Sequence, residues 1–319
     1  MTRRLTLTVA CLLCAWAANG ADPKKSDPSQ IGNRDVGKGI NLYSVEKEIA
    51  MGRQLAEEVR RQTKMIDDPL ISEYVNRLGQ NLARNSDAKV PFTFEVIDDP
   101  GVNAFALPGG YVFVNSGLID LADQENELAA AIAHEIAHVA VRHMTRQATL
   151  VNLGKAGAAP LGVLLGGAAG MAVRQAAQTV VPMSFLTFGR QDEAEADYLG
   201  VQYLYAAGYD PTGAISIFEK IESMEQRRPG AVSKAFSSHP PGQDRIGKTE
   251  REIEQILPSR PDYVITTSAY RDIRQRLIDL QGSRRDPEND RPKLRVAPDS
   301  GQVSEQREPI AVPRKGRLN

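Results

Sequence analysis

Three of the four histidines in this 319-residue chain lie within ten residues of one another, on the apolar stretch AAAIAHEIAHVAVRHM from Ala129 to Met144. The apolar pattern predicts a long helix from about Gln124 to Gln147. On it, His134, Glu135 and His138 spell H-E-x-x-H. Four residues make about one helical turn, so the two imidazoles leave from the same face. They can close on a single Zn²⁺ with bonds of about 2.0–2.1 Å. Glu135 sits next to the first imidazole, placed to reach water on the ion as a general base. Ala131, Ala133, Ala137 and Ala140 are small enough to let other backbone come close. Three fixed positions also arise by chance, and two protein ligands hold zinc weakly. A third donor therefore has to reach this helix from elsewhere.

His143 is near but turned away. Five residues beyond His138 is about 500° of rotation, some 140° off the ligand face of a continuous helix. The extended pattern H-E-x-x-H-x-x-G-x-x-H would need Gly at Val141 and His at Met144. His143 therefore reads as a structural or helix-end histidine. A better donor is in FGRQDEAEADYLG, residues 188–200, where Glu193 and Asp197 stand at i and i+4. Glu193 can offer a carboxylate ligand, and Asp197 can accept a hydrogen bond from a ligand imidazole and fix its orientation. Glu195 is rotated about 200° from Glu193 and should point elsewhere. An acidic helix face on its own is more often merely solvated; its pairing with H-E-x-x-H favours the site.

The combination of His134–His138 with R-x-x-E-x-E-A-D-x-x-G at Arg190–Gly200, preceded by NAFALPGGYVFVNSGLI and followed by AAGYDPTGAISIFEKI and SSHPPGQDRI, resembles a known family. It is similar to the HtpX and CAAX-prenyl-endopeptidase group of gluzincin metallopeptidases over about residues 45–255. Within that group it looks most like the exported, periplasmic type that enhances beta-barrel assembly. The resemblance implies a mainly helical, zincin-like α+β domain with a small sheet next to the active-site helix. It implies one Zn²⁺ per chain on His134, His138 and Glu193, with Glu135 activating water and Asp197 orienting His134. It puts His239 at the family's H-P position, to bond the oxyanion or to cap the resting zinc as a removable fourth ligand; spacing alone allows a plain loop histidine. Arg245 would support the same loop or the substrate. Two departures stand out. Gly189 replaces a frequent Ser, and a short polar tail stands where that type carries helical repeats.

The rest of the chain frames this region. Arg3 and Arg4, the apolar run from Leu5 to about Ala18 and the small residues after it read as a signal peptide over 1–20, cleaved after Gly20 or Ala17. The run is short for a retained spanning anchor. Cys11 and Cys14 lie inside it without a lipid-attachment pattern, so the mature chain would use no disulfide. Residues 21–38 read as a linker, 39–281 as the metallopeptidase domain and 282–319 as a disordered polar tail. Val45, Ile49, Leu55 and Val59 mark one helix, and Ile71, Tyr74, Val75, Leu78 and Leu82 a second from about Asp68. PFTFEVID alternates like a strand, and two short strands flank the Pro108-Gly109-Gly110 turn. Further helices are expected at about 191–207, 212–226 and 266–281. The Gly/Ala-rich segment 154–173 is near spanning length, but its glycines and Pro160 oppose spanning. It reads as small-residue helices covering the domain, or as a lid or membrane contact.

A formal net charge of −1 gives no sign of a nucleic-acid partner. The expected substrates are unfolded or misassembled envelope proteins, bound as extended strands along an edge at Gly109, Gly110, Tyr111 and Val112. The expected location is exported and periplasmic, with contact to the membrane or to outer-membrane assembly machinery as a further option. The competing expectation is an envelope assembly factor that binds clients, its proteolysis gated or minor. An intramembrane prenyl-protein protease would need several spanning helices.

Overall fold

A short cap starts the first helix. In the computed structural model the Ser44 hydroxyl accepts from the Lys47 N–H, and α1 (Val45–Gln62) begins there. Glu46 and Glu48 in its first turn and Arg60 and Arg61 in its last suit the helix dipole. Asp68 caps α2 (Pro69–Arg84) by accepting from Leu70 and Ile71, with Pro69 at the first helical position. The predicted stripe Ile71, Tyr74, Val75, Leu78 and Leu82 is buried throughout. The structure describes residues 27–37, 39–153, 188–227, 239 and 243–285. The expected signal peptide, much of the expected tail and the Gly/Ala-rich segment 154–173 lie outside the described residues.

Three strands follow: β1 (Thr93–Ile97), β2 (Ala104–Leu107) and β3 (Tyr111–Asn115). Their order in the sheet is β1-β3-β2, with β3 parallel to β1 and antiparallel to β2. The predicted turn joins β2 to β3, with Gly109 and Gly110 at φ of 73° and 94°. After the short α3 (Ser116–Leu121) comes α4 (Glu125–Val141), where Glu127 reaches back to accept from the Asp123 and Gln124 N–H groups. Every residue of α4 except Val139 is buried. The expected run to Gln147 is interrupted: Arg142 is left-handed at φ 63°, and helix resumes over 143–153.

Four more helices are described: α5 (Arg190–Ala206), α6 (Gly213–Arg227), α7 (Gln243–Ile256) and α8 (Ser268–Arg285). The sequence pattern places three of them within a few residues and gives no sign of α7. The result is an α+β fold, mainly helical, with one small mixed sheet among the described residues. The chain divides into a compact unit of residues 1–279 and a short unit of 280–319. No helix among the described residues is long and apolar enough to cross a membrane.

Two close approaches set the geometry around α4. A Cβ on Gly200 of α5 would stand 3.2 Å from the N and Cα of His134, so the two helices cross nearly in backbone contact. A Cβ on Gly52 of α1 would fall 1.7 Å from the Pro108 carbonyl oxygen, so α1 lies hard against the β2–β3 turn. Gly to Ala inside a helix ordinarily stabilises by about 1 kcal/mol. Here Gly52→Ala is expected to destabilise by about 1–3 kcal/mol through overpacking. Denaturant unfolding of the two proteins checks this; a gain in stability would contradict the packing.

Candidate metal centre

The buried length of α4 carries His134 and His138 one turn apart, their Nε2 atoms 3.0 Å from each other. The first turns of α5 bring Glu193 onto them: Oε2 is 3.5 Å from His134 Nε2, and Oε1 is 3.5 Å from His138 Nε2. His239 comes in from the other side, its Nδ1 2.8 Å from Glu193 Oε1 and 3.4 Å from His134 Nε2. One donor atom from each of these four buried residues lies within 4.8 Å of all the others. Bonds of 2.0–2.1 Å at the tetrahedral angle separate ligand atoms by about 3.3 Å, so the cluster has the spacing of a zinc ligand set. The donors, imidazole and carboxylate, also suit zinc. Glu193 Oε2 is buried and accepts no hydrogen bond, although the Arg245 guanidinium stands 3.2 Å away.

Neighbouring side chains and backbone pack against this cluster. Asp197 Oδ1 lies 3.0 Å from His134 Nδ1. Arg245 grips Asp197 with two contacts, Nε–Oδ2 at 2.8 Å and Nη2–Oδ1 at 2.7 Å, and its guanidinium lies over the Phe218 ring. Glu135 Oε2 accepts from the Ala106 N–H of β2 at 2.9 Å, and its Oε1 is 3.7 Å from His239 Nε2. Phe188 covers His138, ring centres 4.2 Å apart. Beside Glu135 and His138 is a narrow cleft, also lined by Ala106, Leu107, Val139 and Phe188.

The charges of this cluster are set by one another. Burial opposes protonation of His134, but Asp197 and Glu193 outweigh it and push its pKa up to about 10. Burial, then the neighbouring His134 and His239, hold His138 well below its ordinary value. Glu193 is held far below the carboxylate range, its contacts with His134 and His239 outweighing burial. Asp197 is lowered too, Arg245 and His134 outweighing burial. Burial pushes Glu135 up, the direction that makes a carboxylate more basic.

Not every expected site residue falls at the centre. Tyr111 and Val112 belong to β3, which is paired on both sides, and cannot receive a substrate strand. Gly109 and Gly110 are packed against Ile49 and Pro91. Of the two outer strands, β1 is met on its far side by the Met65–Ile97 bridge, whereas β2 faces α4, its Ala106 N–H donating to Glu135. His143, turned away in a continuous helix, is brought back by the break at Arg142: its Nδ1 is 3.0 Å from His138 Nδ1. Glu195 does leave the Glu193 face, and it meets His143 Nε2 at 3.3 Å. Periodicity carried no signal for either contact, because Arg142 is not a residue that announces a left-handed turn.

A model of peptidase family M48 matches residues 69–253. The chain is 29% identical over 310 residues to the beta-barrel assembly-enhancing protease of Yersinia pestis, covering 94% of this chain and 62% of that protein. It is 30% identical over 261 residues to the Escherichia coli K12 protein of the same name, covering 78% and 53%. It is 33% identical over 199 residues to a mitochondrial metalloendopeptidase of Schizosaccharomyces pombe, covering 62% and 56%. The chain thus spans between half and two thirds of the length of these relatives.

A metal ion entering this cluster has to displace the proton on His134. Calorimetric titration of the metal-free protein with Zn²⁺ at pH 7, in two buffers of different ionisation enthalpy, is expected to show release of about one proton per ion. Release of none would contradict the assigned charges. The same proton stabilises the metal-free fold. Because the folded pKa of His134 is raised, that contribution is complete below its unfolded value of about 6.5 and is lost as pH rises through about 10.

Proposed function

The chain belongs to peptidase family M48, and on that footing we propose that it is a zinc-dependent endopeptidase of the cell envelope, acting on unfolded or misassembled proteins. The observation that carries the reading is the meeting of His134, His138 and Glu193 at zinc-ligand spacing, with the Glu135 carboxylate beside them. Zinc bound there supplies Lewis acidity, making water easier to deprotonate and the scissile carbonyl easier to attack. Glu135 takes the proton of the attacking water and delivers it to the leaving amine. Its raised pKa suits that double duty, and the Ala106 N–H keeps the carboxylate aimed. Asp197, itself clamped by Arg245, holds His134 in the ligating orientation. Burial of the whole group excludes bulk water and strengthens each of these contacts.

Substrate enters as an extended strand along the edge of β2, where main-chain pairing reads little sequence. Such a site suits chains that have lost or not reached their fold. The N-terminal export pattern and the beta-barrel assembly role in the names of two relatives support an envelope setting. A second reading, a client-binding assembly factor with its proteolysis held back, is favoured by the position of His239. Its Nδ1 lies 2.8 Å from Glu193 Oε1, within reach of the same ion, so on a bound metal it would take the place that water and substrate need.

Glu135→Gln is expected to keep about one zinc per chain and to lose casein cleavage by about 10²–10⁴-fold. Chelator is expected to abolish cleavage by the wild type. Full activity of Glu135→Gln would refute the assignment. If neither the wild type nor His239→Ala cuts casein while both bind an unfolded outer-membrane protein, the client-binding reading replaces it.

A further inference from the structure

We propose that His143 is a positioning residue for the metal centre, holding the imidazole of His138 by its far nitrogen. The inference rests on the metal-binding reading above and adds to it the support of the second histidine ligand. His134 has the Asp197 carboxylate behind it, whereas the partner of His138 Nδ1 is His143 Nδ1, at 3.0 Å. The two rings meet edge to face, centres 4.9 Å apart, and His143 is only 1% exposed.

Proton placement follows from this contact. A histidine that ligates through Nε2 carries its proton on Nδ1. His138 must then donate to His143 Nδ1, which leaves His143 as the neutral tautomer protonated at Nε2. That N–H faces Glu195 Oε2 at 3.3 Å, with Asp192 Oδ1 at 3.6 Å. Arg146 stands 3.5 Å from the same Glu195 oxygen. The relay therefore runs from His138 through His143 to Glu195. It gives each of the three carboxylates in E-A-E-A-D a use: Glu193 faces the ligand atoms, Asp197 backs His134, and Glu195 fixes the tautomer that backs His138.

The backbone is built to deliver this contact. On a continuous helix His143 would point about 140° away from His138. The left-handed turn at Arg142 redirects it, and that turn is held by contacts to α1 and the residue just before its cap. Arg142 Nε donates to Glu48 Oε2 at 2.6 Å, and Nη2 donates to the Tyr43 carbonyl at 2.6 Å. Thr145 Oγ1 donates to the other Glu48 oxygen at 2.6 Å. A left-handed arginine is unfavourable without such contacts, so α1 fixes the break that aims His143.

Packing and proton acceptance can be separated with two variants. In His143→Asn, Oδ1 takes the place of Nδ1 and still accepts, but the ring volume is lost. In His143→Phe the ring volume stays and the acceptor is lost. Zinc affinity is to be measured by competition with a chromogenic chelator for wild type, His143→Ala, His143→Asn and His143→Phe. Thermal melting of the metal-free forms checks that each folds. We expect Ala and Phe to bind zinc about 10–100-fold more weakly than wild type, and Asn to recover most of the loss. An affinity for Phe equal to or tighter than that for Asn overturns the inference, as does Ala within twofold of wild type. A wild type that holds no zinc removes the metal centre itself; a wild type that holds it with an unchanged Ala variant removes only the role of His143.

Discussion

The near-contact of α4 and α5 at Gly200 governs everything around the centre. Gly200, Asp197 and Glu193 are spaced by three and four residues, so they share one face of α5. With no side chain at Gly200 to hold the helices apart, that face lies against His134. Asp197 then reaches the back of one imidazole, and Glu193 reaches the front of both. Burying these charges unpaired would cost several kcal/mol each. They are tolerated because every one has a partner: Arg245 for Asp197, the histidines for Glu193, the Ala106 N–H for Glu135. In the metal-free state His134 keeps a proton for the same reason. The cluster is thus a set of charges that a single dication can reorganise at little structural cost.

Most of the elements were legible in the sequence because their faces are amphipathic. The five apolar positions of α2 recur at helical spacing, and all are buried. The period-two alternation of residues 92–96 and the Pro-Gly-Gly turn marked the sheet. The same spacing rule set His134 with His138 and Glu193 with Asp197, and in the structure those four side chains meet. His239 was different: nothing in its spacing distinguished it from a loop histidine, and its candidacy came from the resemblance alone. The α7 sequence, QDRIGKTEREIEQI, holds only three large apolar residues, Ile246, Ile253 and Ile256, and that helix was missed.

Two features were not legible because tertiary contacts decide them. Alternation identifies strands but not their order, and the chain order β1, β2, β3 becomes β1-β3-β2 in space. The residues read as a substrate edge therefore sit in the middle of the sheet and its turn, while β2 is the outer strand beside Glu135. The break at Arg142 depends on Glu48 and the Tyr43 carbonyl, almost a hundred residues upstream. No local propensity foretells it, yet it redirects His143 from a helix flank to the back of His138.

The most direct measurement is crystallographic: the zinc-loaded protein, with anomalous differences recorded on either side of the zinc absorption edge. The account predicts one peak per chain, bonded at about 2.0–2.1 Å to His134 Nε2, His138 Nε2 and a Glu193 oxygen. A peak elsewhere, or one that Glu193 does not reach, would contradict it.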